Sequence, residues 1–109
     1  MDVNRGDLIT IALPGDYGKP RPALVIQSDA FGGLDSVTVL RLTSEMHRSP
    51  LIRITVEPTV ENGLLKRSQI MIDKAATVPR AKLGQRIGRL RPATMQAVGL
   101  ALARFLDLE

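Results

Sequence analysis

Apolar and polar residues alternate along much of this chain with the two-residue period of half-buried strands. Asp7 to Leu13 alternates and predicts a first strand. Pro22 to Gln27 is almost continuously apolar, which suits a short strand buried on both faces. Val37 to Thr43 is β-branched and alternating, and predicts a third. Leu51 to Glu57 sets Leu51, Ile52, Ile54 and Val56 against Arg53 and Thr55. Glu61-Asn62-Gly63 is a turn signal, which predicts a hairpin-like return into a long strand from Leu64 to Thr77. Val78-Pro79 is expected to break that strand. Gln85 to Leu90 predicts a last short strand. Pro14 to Pro20 and Phe31-Gly32-Gly33 are dense in turn formers and read as loops.

The period changes after Arg91. Pro92 is tolerated in the first turn of a helix. Met95, Val98, Leu102, Phe105 and Leu106 recur at helical spacing and predict one apolar stripe packed on the sheet. Five or six short strands and a terminal helix describe an α+β, mostly β fold: a small, partly closed antiparallel barrel capped by a helix. No repeat or linker interrupts it, so residues 1–109 read as a single domain.

Composition narrows the picture. Hydrophobic residues make up 44% and charged residues 24%, the balance of a soluble globular protein. Tyr17, Phe31 and Phe105 are the only aromatics, too few for a base-stacking platform. Cysteine is absent, which excludes disulfides and thiolate metal sites and fits a cytoplasmic protein. No secretory leader or membrane-length apolar run is visible, so no membrane role is expected. The net charge of +4 is uneven. Lys66, Arg67, Lys74, Arg80, Lys82, Arg86, Arg89 and Arg91 face only Asp73 within residues 66–91, a segment net charge of +7. That suits a polyanion or an acidic protein partner, and equally a solvated strand face.

The candidate chemistry starts at Lys19-Pro20-Arg21-Pro22. Each proline fixes its own φ and biases the preceding residue to extended geometry, so Arg21 projects from a stiff base. A cation held at a loop-to-strand junction suits a phosphate or carboxylate. No cofactor or metal is expected, since no Asp, Glu and His cluster has ligand spacing and no glycine-rich phosphate loop occurs. His47, the single histidine, reads as a solvated loop residue, although it alone has an ordinary pKa near neutrality. Phosphodiester cleavage of RNA remains, because RNA supplies its own 2′-OH nucleophile. Arginine can grip two phosphate oxygens and stabilise developing charge, but is a poor base. Thr43 and Ser44 offer hydroxyl donors where the third strand could pass beside Arg21. On composition alone, ion pairing for Arg21 and strand packing for Thr43 are the simpler readings.

Those same pieces, in order, resemble the PemK/MazF family of type II toxin–antitoxin endoribonucleases. The resemblance rests on Arg5-Gly6-Asp7-Leu8, Arg21-Pro22 with its strand to Ile26, Leu42-Thr43-Ser44, Gly63-Leu64-Leu65, Gln69-Ile70 and the closing helix. It implies an SH3-like barrel of the kind shared by CcdB, PemK and MazF toxins. It also implies a metal-independent, sequence-selective mRNA interferase acting on single-stranded RNA. Arg21 and Thr43 become the catalytic pair. Asp16, Lys19, Ser44, Lys66, Arg67 and Gln69 become RNA-binding residues. The expected products are a 2′,3′-cyclic phosphate and a 5′-OH. A homodimer and a cognate antitoxin with an acidic, partly disordered tail are the implied partners. Two features depart from the family. The first loop is short and lacks the usual glutamate, leaving Asp16 as the nearest carboxylate. Ser68 stands where an acidic residue often precedes Gln-Ile. Two alternatives stay open: a CcdB-like gyrase-binding toxin without enzymatic activity, and a catalytically weak RNA- or antitoxin-binding relative.

Overall fold

The computed structural model describes residues 2–15 and 17–108. Its elements are β1 (Asp7–Ile11), β2 (Arg21–Val25), β3 (Ser36–Thr43), β4 (Arg53–Val56), β5 (Ser68–Pro79), β6 (Arg86–Arg89) and α1 (Pro92–Phe105), with 3-10 turns at Asp29–Phe31 and Arg80–Lys82. The six strands form one sheet in the order β4-β5-β3-β2-β1-β6. All its pairings are antiparallel.

Alternation puts two cores on the two faces. Leu8, Leu24, Leu40, Ile70 and Ile72 pack with Val98 of α1 on one side. Ile9, Ile11, Ala23, Val25, Val37, Val39 and Val78 pack on the other. The β2 run Ala23-Leu24-Val25 therefore feeds both, as its unbroken apolar character requires. Full burial of one such side chain stabilises by about 1.5–3 kcal/mol. Val98 is the fully buried residue of α1, so the sheet supplies most of the core. Met95, Ala101 and Leu102 pack partly against it, but Phe105 and Leu106 are exposed. The predicted stripe thus ends a turn early, because the helix outruns the sheet.

The sheet curls into a half-barrel whose edge strands are β4 and β6. Between β3 and β5 the register slips: Leu40 faces Ala75, but Leu42 faces Ile70. Two residues of β3 therefore span five of β5, and β5 bends there to pair with β4 through Ser68–Met71. The eleven-residue connection 57–67 crosses from β4 towards β6, where the Arg89 N–H donates to the Glu61 carbonyl at 2.9 Å. Asn62 and Gly63 are part of this connection and not a two-residue hairpin turn. The buried Asn62 side chain accepts from the N–H groups of Thr59 and Leu64, each at 3.0 Å, and donates to the Glu57 carbonyl at 2.9 Å. Those bonds coil residues 64–67 away from the ladder, so β5 starts at Ser68 and not at Leu64. Nor does Pro79 break β5. Val78 pairs with Val37 and is buried, and Pro79 ends the strand opposite Ser36, where the missing N–H is tolerated.

Candidate functional site: a cationic groove at the strand ends

Antiparallel pairing brings the candidate residues together. Ile11 stands opposite Arg21, and Thr10 opposite Pro22, across β1 and β2. Across β2 and β3 the partners are Ala23–Arg41, Leu24–Leu40 and Val25–Val39. Continuing that register by two residues sets Arg21 across from Thr43, with Arg41 on the same face. Period two requires this: positions 37, 39, 41 and 43 of β3 share one side, and so do 21, 23 and 25 of β2. The apolar half of that face is the second core, and its polar end opens as a groove.

The groove encloses about 560 Å³. Its lining includes Thr10, Arg21, Arg41, Thr43, Ser44, Glu45 and Lys66, with Leu64, Leu65 and Ile87 as apolar wall. Among the described residues, three cations and one carboxylate line it. Arg21 is exposed and makes no ion pair among the described residues. The Thr43 hydroxyl accepts from the Glu45 N–H at 3.1 Å, which leaves its own proton to donate. The Ser68 hydroxyl is committed to the Lys66 carbonyl at 2.9 Å, shaping the groove's rim.

Glycine lets the opposite wall close in. Gly63 has φ +68°, and a Cβ there would overlap the Ile87 carbonyl of β6. A Cβ on Gly88 would overlap the Glu61 and Asn62 backbone. The 57–67 connection can therefore lie against β6 and carry Leu64, Leu65 and Lys66 to the groove.

The other sequence candidates are dispersed. Asp16 lies outside the described residues. Lys19 is exposed beside Pro20 and does not line the groove. Nor does Arg67, whose Nε is 2.8 Å from Glu57 in an exposed pair. Gln69 is buried, with its carboxamide bonded to the His47 backbone and to Thr55. His47 is exposed, 4.0 Å from Glu45. The basic segment is not one stripe. Arg80 donates to the carbonyls of Leu34 at 3.0 Å and Gly32 at 3.1 Å. Arg86 and Arg89 lie 3.5 and 3.8 Å from the fully buried Asp7. Lys74 lies 3.6 Å from Asp73. Asp73 also pairs with Arg53. Burial works against the Asp73 charge, but the Arg53 hydrogen bond, a backbone hydrogen bond and the Arg53 and Lys74 charges outweigh it and lower its pKa below the ordinary carboxylate value. Among the described residues no three His, Asp or Glu side chains gather as metal ligands.

Arg41 is a groove residue that no motif of the sequence singles out. Its signal is legible afterwards: a cation stands in Val37-x-Val39-x-Arg41, on the face where the period calls for an apolar residue.

Residues 4–106 match the sequence profile of the PemK-like, MazF-like toxins of type II toxin–antitoxin systems, and the chain belongs to that family. It is 47% identical over 107 residues to a probable endoribonuclease MazF of Mycolicibacterium smegmatis, covering 97% of this chain and 98% of that protein. The fold is similar to the Mycobacterium tuberculosis toxin MazF-mt6, with a TM-score of 0.78 at 27% identity over 96% of this chain and 99% of that one. It is also similar, with a TM-score of 0.83, to an endoribonuclease from a mycobacterial species in complex with its cognate antitoxin, over 98% of this chain and 97% of that one. At 24% identity this last likeness shows the fold.

Proposed function

We propose that this toxin is an endoribonuclease that cuts single-stranded RNA without a metal ion, using Arg21 and Thr43. The observation that supports the reading is that both line one groove, each two residues beyond the paired Ala23 and Arg41 of β2 and β3. In this reaction the 2′-OH gives up its proton and its oxygen attacks the adjacent phosphorus. The bond from phosphorus to the 5′ oxygen breaks, and that oxygen takes a proton. The products are a 2′,3′-cyclic phosphate and a 5′-OH. Arg21 offers a planar fork to the phosphate oxygens as negative charge builds on them. Thr43, with its oxygen engaged by the Glu45 N–H, donates its proton to the same phosphate. Ser44 and Lys66 extend the polar lining along the strand.

The family match and the 47% identical MazF relative favour this reading over a gyrase-binding toxin. The same groove is the proposed seat of an antitoxin's acidic tail, since three cations would favour a carboxylate-rich segment as they favour a phosphate backbone. The working form proposed is a cytoplasmic homodimer. No helix among the described residues is long and apolar enough to cross a membrane. The test is incubation of the purified protein with mixed-sequence RNA in EDTA, followed by end-group analysis of any fragments. Fragments ending in a 2′,3′-cyclic phosphate are expected. Intact RNA, or cleavage restored only by added metal, overturns the proposal.

A further inference from the structure

We infer that Glu45 is the general base of this groove, taking the proton from the attacking 2′-OH. The inference rests on the nuclease reading and deepens it. That reaction needs an acceptor for the 2′-OH proton, and an arginine, which only donates, cannot be one. Among the described residues, Glu45 is the one carboxylate that lines the groove with Arg21 and Thr43. Other acids are engaged elsewhere: Asp7 is fully buried beside Arg86 and Arg89, Asp73 pairs with Arg53, and Glu57 pairs with Arg67. Glu45 is tied to the proposed reacting pair through its backbone, since its N–H donates to the Thr43 hydroxyl oxygen at 3.1 Å. Gln69 fixes the next turn of the same loop through the His47 backbone. The carboxylate itself is uncommitted. Its side chain is 85% exposed, and the His47 Nε2 lies 4.0 Å away, beyond hydrogen-bond length. His47 does not line the groove, so the carboxylate and not the imidazole is placed to reach RNA there. In a groove that seats a polyanion a carboxylate opposes binding. Proton transfer is the task it performs there and a cation does not. Glu45 accepts the 2′-OH proton as the 2′ oxygen bonds to phosphorus. The bond to the 5′ oxygen breaks with its electron pair, that oxygen takes a proton from water, and the proton held on Glu45 neutralises the hydroxide left behind.

The experiment measures single-turnover cleavage of RNA, and binding of a non-cleavable 2′-O-methyl oligonucleotide, for wild type, Glu45→Gln, Glu45→Ala and His47→Gln. Glu45 is exposed, so its variants should melt within about 2 °C of wild type. Cleavage by Glu45→Gln at saturating RNA should fall roughly 100- to 10,000-fold, the contribution of a positioned base. Its affinity for the 2′-O-methyl strand should hold or rise, by up to about fivefold, because one negative charge has left the phosphate path. Sodium formate, set against matched sodium chloride, should restore part of the cleavage of Glu45→Ala by filling the vacated space with a carboxylate. His47→Gln should cut RNA at close to the wild-type rate. Near-wild-type cleavage by Glu45→Gln overturns the assignment, and so does unchanged speed at an altered target sequence, which would make Glu45 a reader of bases. Weakened binding that accounts for the whole loss of cleavage overturns it, since Glu45 would then be a contact. A folded, RNA-binding Glu45→Ala that is inactive and unmoved by formate overturns it as well. Loss of cleavage in His47→Gln with Glu45→Gln active transfers the role to the imidazole. Wild type that neither binds nor cuts RNA overturns the nuclease reading and this inference together.

Discussion

Gln69 grips His47 by both its backbone polar groups: Oε1 accepts from the His47 N–H at 2.9 Å, and Nε2 donates to the His47 carbonyl at 3.1 Å. The same Nε2 donates to the Thr55 hydroxyl at 3.2 Å. One buried carboxamide thus ties the loop leaving β3 to β5 and β4, and so holds Thr43, Ser44 and Glu45 at the groove. Gln69→Ala removes all three bonds. The expected loss is about 1–3 kcal/mol, or a melting temperature lower by roughly 5–15 °C in a domain of this size. Amide exchange at His47 should accelerate and cleavage should weaken. Unchanged exchange at His47 refutes the restraint.

Arg21 lies outside the core, so Arg21→Ala should leave the melting temperature within about 2 °C of wild type, as exposed substitutions do. Cleavage should fall roughly 100- to 1000-fold, the usual effect of removing one preorganised electrostatic donor. Arg21→Lys should recover little, because an ammonium lacks the planar fork. Single-turnover cleavage rates check both.

Thr43 both accepts from Glu45 and, in the proposed reaction, donates to phosphate. Thr43→Val keeps the β-branched shape and removes both bonds. It should lose most activity and about 1 kcal/mol of stability. Thr43→Ser should keep the hydroxyl and a substantial part of the rate. A fully active Thr43→Val transfers the role to Ser44 or to no hydroxyl at all.

Lys66 and Arg67 are neighbours in sequence with different surroundings. Lys66 lines the groove, whereas Arg67 is paired with Glu57 beyond it. Lys66→Ala should flatten the salt dependence of RNA affinity by about 0.7, one contact on a single strand. Arg67→Ala should leave the slope unchanged. Equal changes from the two variants contradict this division of the basic run.

Asp73 supplies a pH signature. Its pKa is lowered in the folded protein. A depressed carboxylate stabilises fully above its unfolded pKa, and that stability is lost as pH falls through the folded value. Wild type should therefore lose this contribution below about pH 4, starting at the ordinary aspartate pKa. Asp73→Asn leaves Arg53 facing a neutral amide and should cost about 1–2 kcal/mol at pH 7. The gap between variant and wild type should close as pH drops from about 5 to 2. Urea denaturation across that range reads it; a constant gap contradicts the assignment.

The strands, the helix and the stiff presentation of Arg21 were legible in the sequence because each is a local property. Side-chain period and proline φ act over a few residues, so Asp7–Ile11, Arg21–Val25, Ser36–Thr43 and the helix from Pro92 lie close to their expected places. Alternation also implies that Val37, Val39, Arg41 and Thr43 share a face. Which face meets which neighbour was not local. The Ala23–Arg41 pairing and the slip between Leu40 and Leu42 depend on which strands pair and where β5 bends. The dispersal of the basic run, with Lys66 in the groove and Arg67, Arg80, Arg86 and Arg89 elsewhere, follows from that bend and from the coiling of residues 57–67 around Asn62. Charge in sequence adds along the chain. Charge in a site adds through space, and tertiary register alone decided that Arg21, Arg41 and Lys66 share one groove.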